Sequence, residues 1–461
     1  MKQQNMNLFF KKGWMLFFVA LILASCSETA DYSHLTDISG GSPFDPSKPI
    51  EVTDFMPKKG GVGTRLIVYG NNFGNDTTKL RVTIGGKAAP VINTLGTSLL
   101  CMVPEKAFTG DIQVSVVDDN AQPVATGECA DKFEYQRRWT VSTFLGKTLE
   151  DNTKYETKEG PFEDCGAFEK TYFMRFNPKD SDMLYITCST SPTRIIDFKN
   201  RYVYFFTTNL DRVNGIDFTK SGDIVMTRNQ ESDSQTGLYM FTKESGYTER
   251  LELCNGRTAQ APSVHPVDGR VYWSQYRSGQ IYSYDVETGE KRTVCSLPYT
   301  REACYIVWHP TGKYCYLMFV QHHCIYRADY NEEEKTLDPP YRVVGMDSKW
   351  GYADGVGSSA RVNTPEQGVF VYNPEYAGSD DEYDFYFCDE KNHCVRYLTP
   401  SGRVYTYAGR SDGGPEGYRD GDLRKEALFS HPMAISYDYK RHCFYIGDNG
   451  NHFIRRIGLE E

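Results

Sequence analysis

Aromatic and charged side chains are concentrated in three long segments without a strand pattern, residues 146–170, 345–365 and 409–432. An aromatic ring stacks on the apolar face of a pyranose, while carboxylate and guanidinium groups hydrogen-bond to its hydroxyls. We therefore predict that these segments bind a poly- or oligosaccharide. The side chains predicted to contact it are Trp350, Tyr352, Arg410, Asp412, Tyr418 and Arg419. The alternative is that the segments pack over sheet edges, with Asp354 and Asp420 as turn or cap residues.

No motif in the sequence specifies a reaction. The chain has no Gly-x-Ser-x-Gly, His-Glu-x-x-His, phosphate-binding-loop or EF-hand sequence. Its nine histidines are scattered, and His393 and His452 occupy the same position in two related segments, which indicates a structural hydrogen bond in each. We predict no catalytic residue, no metal ion and no cofactor.

The N-terminus has the pattern of an export signal. Three lysines precede the apolar run Trp14–Ala24, which is too short to span a bilayer. The run ends in Leu23-Ala24-Ser25-Cys26, which resembles a bacterial lipobox. The resemblance implies that residues 1–25 are removed, that Cys26 is lipidated, and that residues 26–49 form a flexible polar tether. The alternative is an ordinary secretory signal with a chance cysteine.

The chain is acidic. Its formal net charge is −10, and removal of residues 1–25 takes away three lysines and no acid, leaving −13. Such a charge disfavours binding to nucleic acid or to anionic lipid surfaces. We predict no nucleic-acid partner.

Cysteines other than Cys26 lie mostly inside strand-like runs, where they behave as small buried hydrophobic residues. The absence of a Cys-x-x-Cys motif argues against a zinc site of that type. Because an exported protein can form disulfides, two pairs are candidates, Cys388 with Cys394 and Cys101 with Cys129.

Residues 50–135 contain short alternating segments separated by turns with Gly and Asn, the pattern of an immunoglobulin-like sandwich. The residues from Pro57 through Val68-Tyr-Gly70-Asn-Asn-Phe73-Gly74 to Val103-Pro104 resemble the IPT/TIG family. The resemblance implies a spacer or binding module, and the position after the tether favours a spacer.

Residues 139–461 contain six units of about 45 to 60 residues, each with three or four strand-like segments. Two units share a strand–turn–strand motif, at 384–397 and 443–456. We predict an all-β chain in which a six-bladed β-propeller follows the sandwich. The last unit lacks an outer strand, and residues 139–145 resemble the outer strand of the unit before it. We therefore predict that residues 139–145 close the ring, since an unclosed ring leaves unpaired strand edges.

The motif Tyr445-Ile-Gly-Asp448-Asn-Gly-Asn451-His452-Phe-Ile-Arg455, with its copy at 386–396, resembles the NHL-repeat family. Some related propeller enzymes bind metal through histidines around the central channel. Here His265, His309 and His431 fall near inner strands, and each of them precedes a proline. An IPT/TIG domain before such a propeller on a lipoprotein looks like exported proteins of Gram-negative gut bacteria, often encoded beside glycan-uptake machinery.

The resemblance implies an outer-membrane lipoprotein of a Gram-negative bacterium, anchored by lipid and facing either the periplasm or the cell surface, that binds carbohydrate on the propeller face bearing the long segments. Two alternatives stay open. One is a hydrolase or lyase acting in the central funnel of the propeller, and the other is a structural partner of an outer-membrane transporter. Exposed aromatic side chains favour carbohydrate binding, and a cluster of His or acidic groups in the funnel would favour the hydrolase or lyase.

Overall fold

The computed structural model describes residues 41–147, 156–188, 192–206, 210–410 and 413–461. The chain divides after Arg137 into two compact units. Strands build both units, and in the described part the helices are short 3-10 turns at Thr77–Lys79, Phe162–Asp164, Pro374–Tyr376 and Glu390–Asn392. The predicted signal segment, the predicted lipidation site Cys26 and the predicted ligand contact Asp412 lie outside the described residues.

The first unit is a sandwich of two sheets. One sheet has the strand order Glu51–Met56, Arg65–Asn71, Ser98–Met102 and Val91–Thr94. The other has the order Lys59–Gly60, Pro123–Tyr135, Gly110–Val117, Leu80–Ile84 and Lys87–Ala89. Alternate residues of these strands are buried and form one core, which includes Phe55, Leu66, Val68, Val82, Ile84, Leu99, Ile112, Val114 and Phe133.

Part of the predicted tether, residues 41–49, is described and hydrogen-bonds to this sandwich. The Asn72 side chain accepts a hydrogen bond from the amide of Asp45 at 2.8 Å and donates to the carbonyls of Asp45 and Lys48 at 2.9 and 2.8 Å. These bonds fix the chain just before the first strand.

The second unit is a propeller of six antiparallel sheets, numbered here as blades 1 to 6 from the first inner strand onwards. Blade 1, from its inner strand outward, has the strands Thr171–Asn177, Asp180–Cys188, Thr193–Asp197, Tyr202–Phe206 and Gly160–Pro161. Blade 2 has Val213–Phe218, Ile224–Arg228, Thr236–Phe241 and Arg250–Asn255. Blade 3 has Ser263–Val264, Val271–Gln275, Gln280–Tyr284 and Lys291–Ser296.

The remaining three blades follow the same plan. Blade 4 has Cys304–Trp308, Tyr314–Phe319 and Cys324–Asn331, with both Thr336–Leu337 and Tyr341–Gly345 pairing to the last of these. Blade 5 has Pro365–Tyr372, Tyr383–Asp389, Cys394–Leu398, Arg403–Gly409 and Gly355–Val356. Blade 6 has Pro432–Asp438, Cys443–Asp448, Phe453–Leu459, Trp139–Leu145 and Gly421–Asp422.

The inner strands form a closed ring, because each contacts the inner strand of the next blade and that of blade 6 contacts that of blade 1. Trp139–Leu145 pairs antiparallel with Phe453–Leu459, so the first strand of this unit is the fourth strand of its last blade. Val141 and Leu145 are buried there. Apolar side chains fill the spaces between blades, as Phe168, Met174 and Tyr445 do between blades 6 and 1.

The cysteine pairs considered for disulfides are free thiols. In blade 5 the strand register places Cys388 opposite Val395 and Cys394 opposite Asp389, so the two thiols are not cross-strand partners. Cys101 and Cys129 are both buried in the sandwich, where they act as core residues.

Candidate functional site

One buried amide side chain links the inner strands of three neighbouring blades. Gln367, on the inner strand of blade 5, is buried. Its Oε1 accepts hydrogen bonds from the amides of Met174 and Ile435, at 3.0 and 3.1 Å, and its Nε2 donates to the carbonyl of Met174 at 2.9 Å. Gln367 therefore joins the inner strands of blades 1, 5 and 6.

A cavity of about 310 Å³ opens on the face of the propeller where the inner strands begin. Its walls come from two kinds of position in blades 1 to 4. These are the starts of inner strands and the turns between second and third strands, which lie at the same end of a blade. The lining residues are Tyr172, Asn214, Asn229, Glu231, Thr258, Gln260, Tyr276, Arg277, Ala303 and Tyr305.

The cavity carries polar groups that the protein leaves without a partner. Asn229 Oδ1 and Thr258 Oγ1 are buried, and neither has a hydrogen-bond partner in the described part of the chain. Buried polar atoms of this kind are uncommon, because an unsatisfied group costs about 1–3 kcal/mol. A ligand hydroxyl or a water molecule in the cavity would satisfy both atoms.

Other polar side chains of the cavity are held in place by the backbone. Asn214 Nδ2 donates to the carbonyl of Ala259 at 2.6 Å, and Gln260 Nε2 donates to the carbonyl of Thr258 at 3.3 Å. At the rim, Arg277 Nη2 forms a 2.9 Å ion pair with Glu231. The half-exposed pair is weak in water, so a charged or hydroxylated ligand can separate it at little cost.

Tyr305 connects the cavity to a buried acid. Its ring packs edge-on against Phe173, with ring centroids 4.9 Å apart. Burial raises the pKa of Tyr305 and of its hydrogen-bond partner Glu366 well above their ordinary values. Burial therefore disfavours the ionised form of both groups. The next residue along the chain after Glu366 is Gln367, which joins the inner strands of blades 1, 5 and 6.

Two of the side chains predicted to bind sugar brace the outer edges of blades 5 and 6. The Tyr352 hydroxyl hydrogen-bonds to Thr406 Oγ1 at 2.7 Å, and Arg410 lies over the Tyr352 ring at 3.7 Å. The Tyr418 hydroxyl makes the same 2.7 Å bond to Thr143 Oγ1. Because Thr406 and Thr143 lie on equivalent outer strands, the two tyrosines make the same hydrogen bond in blades 5 and 6.

The other described members of the predicted set differ in environment. Trp350 is 69% exposed and presents its ring to solvent. Arg419 Nε donates to the carbonyl of Glu426 at 2.5 Å. The segments 345–365, 409–432 and 146–170 also each add a two-residue strand to a blade edge, at Gly355–Val356, Gly421–Asp422 and Gly160–Pro161.

The repeated motif builds a buried ion-pair network in each of the last two blades. In blade 6, Arg455 Nη1 pairs with Asp448 at 2.7 Å and Arg455 Nη2 with Asp420 at 2.6 Å. Asp448 also accepts hydrogen bonds from Asn451 Nδ2 and from the amide of Ser430, both at 2.8 Å. Burial raises the pKa of Asp448 to about 6, and the charge of Arg455 opposes that shift.

Blade 5 repeats this network with the same residue types. Arg396 pairs with Asp389 at 2.9 Å and with Asp354 at 2.8 Å, and Asn392 Nδ2 donates to Asp389 at 2.8 Å. Asp354 and Asp420, predicted as turn or cap residues, therefore tie the long segments to the third strand of each blade. The sequence predicts the repeated motif but not the pairing of its Asp with its Arg.

Histidines end the turns between second and third strands in blades 4, 5 and 6. His323, His393 and His452 all have left-handed backbone angles, with φ of 54°, 53° and 62°. His323 Nδ1 accepts a hydrogen bond from the amide of Thr364 at 3.0 Å, and His393 Nδ1 accepts one from the amide of His431 at 3.2 Å. Of the structural hydrogen bonds predicted for both His393 and His452, the one at His393 is thus confirmed.

These features define an all-β protein with an immunoglobulin-like sandwich and a six-bladed propeller that carries a polar cavity on one face. Residues 49–135 match the IPT/TIG domain family. No curated protein compared with this chain matches it. Within the described residues, the structure contains no helix long and apolar enough to cross a membrane.

Solved structures resemble the chain over nearly its whole length. An auxiliary nutrient binding protein from Bacteroides thetaiotaomicron is 44% identical, with a TM-score of 0.86 over 91% of this chain and 100% of that one. An auxiliary nutrient binding protein from Bacteroides ovatus is 49% identical, with a TM-score of 0.74 and the same coverage. A third protein, from B. thetaiotaomicron, has a name that proposes a phosphatase; it is 33% identical, with a TM-score of 0.76 over 91% of this chain and 99% of that one. The chain belongs to the family of these Bacteroides proteins.

Proposed function

We propose that this protein is a nutrient-binding protein of the cell envelope and that its ligand is a carbohydrate held in the cavity of blades 1 to 4. The names of two relatives, at 44% and 49% identity, support a role in nutrient binding. The observation that carries the proposal is the pair of buried, unpartnered polar atoms in the cavity, Asn229 Oδ1 and Thr258 Oγ1.

The chemistry of the cavity suits a sugar. Three tyrosine rings, Tyr172, Tyr276 and Tyr305, can stack on the apolar face of a pyranose. Amide side chains and the Thr258 hydroxyl supply donors and acceptors for its hydroxyl groups. The volume of about 310 Å³ lies at the lower end of small-molecule pockets, which span about 300–1,000 Å³. A mono- or disaccharide unit is therefore the expected occupant.

We also propose that the long segments at blades 5, 6 and 1 form a second contact region for a longer oligosaccharide. The tyrosine hydroxyls there are engaged by threonines, so Trp350 is the member of the predicted set best placed to stack on a sugar. An extended oligosaccharide would contact both the cavity and Trp350.

We also propose that Cys26 carries a lipid anchor and that the protein sits on the outer membrane of a Gram-negative bacterium. The lipobox-like Leu23-Ala24-Ser25-Cys26 supports the anchor, and the Bacteroides relatives support the envelope. Docking on an outer-membrane transporter is compatible with this role.

Binding is tested by screening residues 27–461 against soluble glycans and then titrating the best ligand by calorimetry. Thr258→Val and Asn229→Ala each remove one polar partner from the ligand, so each should weaken binding about 3- to 10-fold. The matched control is Thr187→Val. Its hydroxyl is also buried and unpartnered among the described residues, but Thr187 does not line the cavity.

Equal losses in Thr258→Val and Thr187→Val would contradict the cavity as the binding site. Absence of binding to every glycan would overturn the carbohydrate proposal. The second candidate is a hydrolase, favoured by the buried Glu302 whose carboxylate meets His322 Nδ1 at 2.5 Å, and by the name of the 33% identical relative. Release of phosphate or reducing sugar during these assays, lost in Glu302→Gln, would favour that candidate.

A further inference from the structure

Two histidines and a glutamate meet between blades 5 and 6, on the face where the inner strands begin. Ligand atoms of His393, Glu416 and His431 all lie within 4.8 Å of one another. His431 Nε2 is 3.9 Å from Glu416 Oε2, and the rings of His393 and His431 are nearly perpendicular with centroids 4.7 Å apart. Two ligands of one zinc ion, at bonds of about 2.1 Å and a tetrahedral angle, lie about 3.4 Å apart. The observed spacing is therefore close to what one cation requires.

His431 is already oriented as a metal ligand. Its Nδ1 meets Glu390 Oε1 in a very short hydrogen bond. Donation of the Nδ1 proton to a carboxylate leaves the lone pair on Nε2, the atom that faces Glu416. This carboxylate–histidine arrangement stands behind many metal-bound imidazoles and fixes both their tautomer and their orientation.

Glu416 is also supported from behind. Its Oε1 accepts a 2.8 Å hydrogen bond from Ser430 Oγ, which leaves Oε2 directed toward His431. The backbone beside it is pinned, because the amide of Gly417 donates to Phe429 O at 3.1 Å and its carbonyl accepts from Asn451 Nδ2 at 2.9 Å. The carboxylate is more than half exposed, so a movement of about 0.5 Å toward a cation is unhindered.

His393 is the third ligand and must change its hydrogen bonding to bind. Its Nδ1 accepts the amide proton of His431 at 3.2 Å, so the neutral ring carries its own proton on Nε2. Coordination through Nε2 moves that proton to Nδ1 and gives up one long hydrogen bond. His431 and Glu416 therefore bind first, and His393 completes the site.

We propose that His431, Glu416 and His393 bind a divalent transition-metal ion of the zinc class, with Glu390 as a positioning residue behind His431. Imidazole nitrogens select zinc, cobalt and nickel over magnesium and calcium, which prefer sets of oxygen ligands. Two imidazoles and one carboxylate leave a fourth position open to solvent or to a ligand. The carboxylates of Glu416 and Glu390 balance the charge of the ion.

The test is titration of the purified full chain with Co²⁺, read by its visible d–d absorption, followed by competition with Zn²⁺. We expect one Co²⁺ per chain, displaced by Zn²⁺ and unaffected by excess Mg²⁺ or Ca²⁺. His431→Ala should abolish the absorption band, and Glu416→Gln and His393→Ala should each weaken binding at least tenfold. Glu390→Gln should weaken it about 10- to 100-fold while leaving the shape of the band unchanged.

His442→Ala is the matched control, since His442 is an exposed histidine at the far end of a strand of blade 6. It should bind Co²⁺ like the unaltered chain. The proposal is overturned if the unaltered chain gives no d–d band, if His431→Ala retains it, or if Mg²⁺ displaces Co²⁺. Circular dichroism of each variant identifies one that has failed to fold, and Glu390→Gln then tests the site without removing a ligand. Glycan binding by the cavity of blades 1 to 4 is measured separately, so the two proposals fail independently.

Discussion

Arg455 and Arg396 show how single residues set the geometry of the last two blades. Each guanidinium is wholly buried, and each reaches one buried and one half-exposed aspartate. Burying an ion pair gains little over an apolar pair, but removing one partner leaves an uncompensated buried charge. The pairs therefore specify where the long segments attach to the blades. Losing the buried carboxylate of a pair should strongly lower the free energy of unfolding.

Asp448→Asn should destabilise the propeller by about 3–5 kcal/mol, because it removes the buried one of the two carboxylates that pair with the buried Arg455. Asp354→Asn, in the equivalent network of blade 5, should cost only about 1 kcal/mol, since Asp354 is 40% exposed and water can replace it. Urea unfolding followed by tryptophan fluorescence compares the two. Similar losses in both variants would mean that burial of the pair is not what matters.

The turns between second and third strands are the elements that bring histidines to one face. A histidine is tolerated at a left-handed position better than a β-branched residue is. Its ring nitrogen can accept a hydrogen bond from the backbone amide just before the inner strand of the next blade. The Nδ1 of His323 takes the amide of Thr364 in this way, and burial lowers the pKa of His323. The turn thus couples neighbouring blades through a neutral imidazole.

This coupling predicts a pH dependence. A histidine whose folded pKa lies below its unfolded value of about 6.5 binds fewer protons when folded, so its contribution to stability is lost as pH falls below 6.5. His323→Asn removes the titrating ring while keeping a residue that accepts the left-handed turn. Between about pH 7.5 and pH 5.5 the free energy of unfolding should therefore fall less in His323→Asn than in the unaltered protein. An unchanged difference would show that His323 does not titrate on unfolding.

Elements with a repeated local pattern could be predicted from sequence. The alternation in 50–135 predicts the sandwich, and the copies at 384–397 and 443–456 predict the blades, because strand period and turn residues are local properties. Thr143 and Thr406 occupy matching places in two similar segments, and each receives a tyrosine hydroxyl and an aspartate. The sequence alone shows that these two segments match.

The cavity could not be predicted in this way. Asn229, Thr258 and Tyr305 come from three different blades, and the middle units depart from the repeated motif. No spacing in the sequence links them, since their proximity arises from the closure of the ring. The one available signal was position, because each lies at the start of an inner strand or in a turn at the same end of a blade. Long aromatic segments were the stronger sequence signal, and two of their tyrosines brace blade edges.

At the scale of the whole molecule, closure of the ring depends on a strand that lies far in sequence from its partner. Trp139–Leu145 pairs with Phe453–Leu459, and Thr143 then receives both Tyr418 and Asp420 from the long segment of blade 6. Arg138, just before this strand, pairs with Glu426 at 3.1 Å. The start and the end of the propeller are thus held together by one sheet.

Two fragments test this closure. Residues 138–461 retain the closing strand and should behave as a folded monomer with one cooperative unfolding transition. Residues 147–461 lack it, which leaves Phe453–Leu459 as an unpaired edge and uncovers Ile454 and Ile457, both fully buried in the chain. Exposed strand edges promote association between chains, so this fragment should elute as oligomers or aggregate and should unfold at a lower temperature. Size-exclusion chromatography with light scattering measures the first effect and calorimetry the second. A monomeric 147–461 fragment with unchanged thermal stability would mean that inter-blade packing alone holds the ring, and that Trp139–Leu145 only covers its outer edge.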